Sequence, residues 1–243
     1  MPGHQESEYA LRASRTVYQL NNWRIETKYT ETALAHEASL KDWETPTIWL
    51  IEPKDTCLVL GKSEREKPYL NFEYVRENNL NLTTRQSGGG AVLVDPQDIL
   101  WVDVFVPKNS QLWESDIAKA SIGIGNAWNR ALKEVKVSSS VYTGEFLRST
   151  LSDLVCFAGK GPGEIFREGK KILGISQRRS KLGTRFQCAL VIEWNPDHLI
   201  GAFNTVSIPN FEEEVTSAGI ASGCEKNKAL EAFIKSLTSF SNN

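Results

Sequence analysis

The spacing of apolar and polar positions divides the chain into helices and strands of unequal clarity. The clearest helix is expected from Ser115, as N-cap, to about Val135, because Ile117, Ile124, Trp128, Ala131 and Val135 recur at helical spacing. Leu230, Phe233, Ile234 and Leu237 mark a C-terminal helix in the same way. Over 30–43, Ala33, Leu34, Ala38 and Leu40 stand among polar residues behind Thr30, which predicts a shorter amphipathic helix capped by that threonine; 68–79 reads as a weaker one. Strands are expected at Thr47-Ile48-Trp49-Leu50-Ile51 and Cys57-Leu58-Val59-Leu60, joined by a turn at Glu52-Pro53-Lys54-Asp55. Further strands are expected at 91–94, 99–106, 170–176 and 186–193.

Within 99–106, Trp101, Asp103 and Phe105 share one face and Val102, Val104 and Val106 the other, so both faces of that strand should be covered. Strands and helices interleave without a regular βαβ period. The fold class is therefore α+β, a mixed or antiparallel sheet with helices packed on one side, rather than a doubly wound dinucleotide fold.

Composition narrows the classes without choosing among them. Hydrophobic residues make up 40% and charged residues 24% of the 243 positions, which suits one folded unit spanning 1–243. The formal net charge is -2, so no overall positive field recruits nucleic acid or a membrane surface. Cys57, Cys156, Cys188 and Cys224 lie far apart with three histidines, which argues against a zinc site or a disulfide framework. Residues 1–25 carry Glu6, Glu8, Arg12, Arg15 and Arg24 without a continuous apolar stretch, so no signal peptide is expected and a cytoplasmic location is.

Two stretches carry candidate chemistry. Arg85-Gln86-Ser87-Gly88-Gly89-Gly90-Ala91-Val92 places three glycines between apolar runs, where backbone N–H groups can approach an anion closely and Arg85 adds a positive fork. It is neither Gly-x-Gly-x-x-Gly nor a phosphate loop ending in Gly-Lys-Ser/Thr. The second stretch, Gly169-Lys170-Lys171-Ile172-Leu173-Gly174-Ile175-Ser176-Gln177-Arg178-Arg179, opens an apolar strand with two lysines, costly unless an anion meets them. Taken singly, a hairpin loop and a solvated strand end explain these stretches as well.

Taken together and in this order, the two stretches resemble the catalytic domain of the lipoate and biotin protein ligase superfamily, particularly the lipoate-protein ligase A family. Leu34-Ala35-His36-Glu37-Ala38 and Leu58-Val59-Leu60-Gly61-Lys62 extend the resemblance weakly. It implies a single catalytic domain without a C-terminal accessory domain, whose place a separate subunit would take. It also implies a two-step reaction with ATP, Mg²⁺ and lipoate: lipoyl-AMP forms, and an acceptor lysine then attacks it. Lys171 would contact the adenylate phosphate and the acyl carbonyl oxygen; Arg85, Ser87, Gly88, Gly89, Gly90, Ala91, Val92, Asp95 and Gly174 would complete the binding site. The acceptors implied are lipoyl domains of 2-oxoacid dehydrogenases or the glycine-cleavage H protein.

The chain departs from that pattern at Thr84, Val94 and Asp98, near the phosphate end of the site. Cys156-Phe157 precedes Gly169-Lys170-Lys171 at the spacing of a related branch, the cysteine-dependent octanoyltransferases, which pass an octanoyl group to lysine through a thioester and without ATP. Cys188 reads as core. The uninterrupted glycine triplet places the ligase first and the transferase second, ahead of a biotin ligase or a non-catalytic binder of lipoyl-adenylate or carrier protein.

Overall fold

A computed structural model describes residues 17–62, 69–204 and 209–239. Strands β1 (Val17–Leu20) and β2 (Trp23–Thr30) lead into helix α1 (Thr32–Glu37), followed by β3 (Thr47–Pro53) and β4 (Cys57–Leu60). Helix α2 (Phe72–Glu77) precedes β5 (Asn81–Thr84), β6 (Val92–Val94) and β7 (Ile99–Pro107). The long helix α3 (Ile117–Glu134) then crosses to β8 (Ser140–Val141), α4 (Thr150–Leu154) and a 3-10 turn at Cys156–Ala158. Strands β9 (Ile165–Arg167), β10 (Lys170–Arg179) and β11 (Gly183–Val191) follow, and α5 (Asp197–Gly201), α6 (Phe211–Ala218) and α7 (Lys226–Thr238) close the order.

Among the described residues the main sheet runs β1-β2-β3-β7-β11-β10-β9-β8, and a small sheet runs β5-β4-β6. Pairing is antiparallel except for β2 with β3 and β4 with β5, so the sheets are mixed as expected. β7 is buried along its whole length. Its alternation decides the layering, for Val102, Val104 and Val106 enter one core while Trp101 and Phe105 enter another.

The valine face is covered by α3 and α7, where Trp128 stacks on Phe233 with ring centroids 3.8 Å apart. The small sheet covers the other face, with residues of α1, α2, α4, α5 and α6 contributing to the same core. Helices thus lie on both sides of the main sheet rather than one, because a strand apolar on both faces needs two covers.

Local boundaries also differ. Thr30 remains in the β2–β3 ladder opposite Pro53, so the helix expected over 30–43 shrinks to α1, and Trp43 packs edge-on against Phe105. Asp116, not Ser115, caps α3 by accepting from the Lys119 N–H at 2.9 Å. Asn71 caps α2 in the same way, while Pro68 lies outside the described residues. β10 continues to Arg179, and β11 begins at Gly183 instead of Phe186.

Candidate active site

The glycine loop joins β5 to β6 and is held by its own arginine. Arg85 is buried, and its guanidinium donates to the carbonyls of Gly88 (2.9 Å), Gly90 (2.8 Å) and Val59 (3.3 Å), and to Ser87 Oγ (3.1 Å). A planar fork with several fixed donors suits this task better than a lysine. Gly89 adopts a φ of 98°, open to glycine and costly for other residues. A Cβ on Gly61 would lie 1.9 Å from the Gly89 carbonyl oxygen, and one on Gly90 2.6 Å from Val155 N, so the loop is pressed between β4 and the segment leading to Cys156. Arg85 therefore donates to backbone oxygens of its own loop and of β4.

That contact is continued by backbone hydrogen bonds. Ala91 N donates to Leu154 O at 2.7 Å and Cys156 N to Ala91 O at 3.0 Å, which places Cys156 beside the loop. The carbonyl of Cys156 accepts from Lys171 Nζ at 2.8 Å. Lys171 is only 1% exposed, as expected of a lysine on an apolar strand, and its ammonium is neutralised by Glu164 Oε2 at 2.8 Å. Glu164 also accepts from Gly161 N at 2.7 Å. Burial pushes the Glu164 carboxyl up, and the Lys171 ammonium opposes that push. The result is a rigid chain from Glu164 through Lys171 to the backbone of Cys156.

Cys156 is half-buried and borders a cavity of about 60 Å³. Val59, Val92, Val94, Ile99 and Trp101 supply apolar wall, Gly174 and Ala189 the sheet floor, and His36, Arg85, Ser176 and Gln187 the polar points. Gly174 leaves room beside Phe157, whose Cζ lies 3.8 Å from where a Cβ would stand. The polar points are fixed from behind: Ser176 Oγ is hydrogen-bonded to Ser87 Oγ at 3.2 Å, and Gln187 Nε2 meets His36 Nδ1 at 3.2 Å. Burial, helped by the charges of Arg185 and Arg85, holds His36 down to about 3, so its ring is neutral at ordinary pH.

Of the residues anticipated from sequence, the structure brings Arg85, Val92, Gly174 and Cys156 to this cavity, with Lys171 behind Cys156 and Ser87 beside Ser176. Ala91 is fully buried beneath the loop; Gly88 and Gly89 are exposed on it, and Gly90 is packed against 152–155. Asp95 does not join the cavity lining. Its carboxylate accepts from Thr56 Oγ1 at 2.6 Å and from Gln97 N at 2.8 Å, which ties the turn between β6 and β7. Asp98 holds the β11 end through Ile192 N and Asn195 Nδ2. Cys188 is core, with burial pushing its thiol up to about 12, although it also borders the cavity.

Two residues were not singled out from sequence. Glu164 follows Gly161-Pro162-Gly163 and opens the apolar β9, a place where a carboxylate requires a buried partner. His36 gave no signal of its own inside a short helix.

An α+β domain in which Arg85 of the glycine loop and Cys156 border an apolar cavity, with the buried Lys171 behind Cys156, has the fold of lipoate-protein ligase catalytic domains. The bi-partite lipoate protein ligase of Thermoplasma acidophilum superposes with a TM-score of 0.64 at 15% identity, covering 88% of this chain and 83% of that one. Residues 20–238 match the family model of the lipoyl protein ligase A/B catalytic domain, and the chain belongs to that family. Among curated relatives, it is 26% identical over 199 residues to octanoyltransferase LipM of Lysinibacillus sphaericus, covering 78% of this chain and 70% of the relative. It is 23% identical over 163 residues to the octanoyl-[GcvH]:protein N-octanoyltransferase of Oceanobacillus iheyensis, covering 65% of this chain and 52% of the relative, or about half that protein's length.

Proposed function

We propose that this enzyme transfers an octanoyl- or lipoyl-type acyl group through a thioester on Cys156 to a lysine of an acceptor protein. The observation that carries the reading is the position of Cys156, which borders the apolar cavity while Lys171 holds its carbonyl at 2.8 Å. The octanoyltransferases among the relatives support the same order, which reverses the preference drawn from the glycine triplet.

In the first step the Cys156 thiolate attacks the carbonyl of a carrier-bound acyl thioester. A bond forms from that carbon to Sγ, the bond to the carrier sulfur breaks, and the carrier leaves as a thiol after taking up a proton. In the second, the acceptor lysine amine attacks the enzyme thioester, an amide forms, and Cys156 is released with loss of a proton from the amine. Lys171 has three N–H groups and spends two on Glu164 and the Cys156 carbonyl; the third is assigned to the acyl oxygen as negative charge develops there. The apolar wall of Val59, Val94, Ile99 and Trp101 receives the chain. Lipoyl domains and a glycine-cleavage H protein are the acceptor class that the family suggests.

Activation of lipoate by ATP is the second reading, favoured by the exposed glycines Gly88 and Gly89. The side chains present fit an ATP–Mg²⁺ complex poorly: Arg85 is engaged with loop carbonyls and Lys171 with Glu164. The deciding experiment offers octanoyl carrier protein and an acceptor domain without ATP. Acceptor acylation that disappears in Cys156→Ser is expected, and lipoate-dependent exchange between pyrophosphate and ATP would instead establish the ligase.

A further inference from the structure

A groove of about 590 Å³ opens on the main sheet, apart from the small cavity at Cys156. Its floor is the stretch of β2 and β3 that α1 and residues 38–42 leave uncovered, with Arg24, Glu26, Lys28, Trp49 and Ile51 along it. Lys28, Ile51, Trp101, Ala189 and Gly174 stand opposite one another in turn across β2, β3, β7, β11 and β10. The first two line the groove and the last three the cavity, so both lie on one face of the sheet. Helix α1 is the wall they share, for Leu34 and Ala35 border the groove and His36 the cavity. The cavity begins two strand spacings from β2 and ends four away, roughly 10 to 19 Å.

The chain carries a formal net charge of -2, yet four cations line the groove against two carboxylates. Both carboxylates are already engaged. Glu26 is buried and pairs with Arg24 and Lys28, while Asp42 accepts from the Glu44 N–H at 2.8 Å. The remaining cations, Lys41 and Lys54, are exposed, and Lys54 lies 4.7 Å over the Tyr29 ring. Val17, Tyr29 and Leu34 border the same groove and are each more than half exposed. Apolar contact area with surplus positive charge around it suits an acidic protein surface.

We propose that this groove is the docking site of an acidic carrier protein that delivers the acyl group. The proposal rests on the thioester-transfer reading of Cys156. A partner seated here leans on the outer side of α1, and its cargo crosses that helix to reach the cavity. The span favours a donor whose acyl group rides on a long flexible arm over an acceptor whose lysine has only a four-carbon stem.

Calorimetric binding of octanoyl carrier protein to the full chain carrying Cys156→Ser tests this, and because no transfer to Cys156 occurs, failure of the thioester chemistry leaves the result readable. In that background, Lys41→Glu together with Lys54→Glu should weaken binding about tenfold and flatten its dependence on salt. Arg24 and Lys28 stay intact, since removing either would take a partner from the buried Glu26. The exposed positions leave the thermal midpoint unchanged, and Lys41→Gln with Lys54→Gln should give an intermediate affinity. Unchanged carrier affinity in the double reversal would overturn the proposal, as would weakened binding of the acceptor domain with carrier binding retained. A dimer that the same reversal converts to monomer would assign the groove to a second copy of the chain and overturn it too.

Discussion

Cys57 and Cys188 are sealed in the two cores, and burial pushes each thiol up to about 12. Cys156 and Cys224 are half-buried. Alkylation of the native protein with iodoacetamide near pH 8 should therefore modify Cys156 and leave Cys57 and Cys188 intact, with peptide mass mapping as the check. His36 supplies a second prediction at this scale. Its folded value of about 3 lies below the ordinary 6.5, so the unfolded chain takes up the extra proton first as pH falls. The stabilisation from the neutral ring is complete above about 6.5 and is lost progressively toward pH 3. His36→Phe should make the thermal midpoint fall less steeply between pH 7 and 4; an identical slope would contradict the assignment. The burial of Lys171 and the nearness of Cys156 to the glycine loop were legible because each residue belongs to a spaced motif. Glu164 and His36 were not, since their importance comes from burial and from partners distant in sequence, Lys171 for one and Gln187 for the other.

The glycine loop is held by contacts with segments distant in sequence. Its conformation follows from Gly61, Gly89 and Gly90, and its stiffness from Arg85, whose donors are turned inward onto carbonyls. Gly90→Ala would force a Cβ to within 2.6 Å of Val155 N and 2.7 Å of Ser152 O. Overpacking of this kind costs about 1–3 kcal/mol, and here it should also displace Cys156 through the Ala91–Cys156 hydrogen bond. A urea melt shifted by that amount together with slower acylation is expected; Gly88→Ala, which meets nothing within 4 Å, is the control. The long elements α3, α7 and β7 were readable from periodicity alone. The caps and the ends of α1 were not, because ladder pairing at Thr30 and the packing of Trp43 decide them.

At the scale of the molecule, the buried Asp103 and Arg185 lock the main sheet to α1. Arg185 Nε donates to Asp103 Oδ2 at 2.9 Å, and its terminal nitrogens donate to the carbonyls of Ala38 and Ala35, each at 2.8 Å. Trp101 Nε1 adds a bond to the same carboxylate at 2.7 Å. Asp103→Leu should destabilise by about 3–5 kcal/mol by leaving a buried guanidinium unpaired. Adding Arg185→Leu should recover only part of that, since the α1 carbonyls lose their donor too. Chemical denaturation of the two variants measures both steps. The α+β class and the mixed sheet were visible in the interleaved pattern, while the two-sided covering emerged only with the pairing order. No helix among the described residues is long and apolar enough to cross a membrane.

Intact mass spectrometry tests most directly whether Cys156 carries the acyl group. After incubation with octanoyl carrier protein and no ATP, the enzyme is expected to gain one octanoyl group, mapped to the Cys156 peptide, released by hydroxylamine and absent from Cys156→Ser. Acceptor acylation at the full wild-type rate by Cys156→Ser, with no acyl group ever trapped on the enzyme, would contradict it.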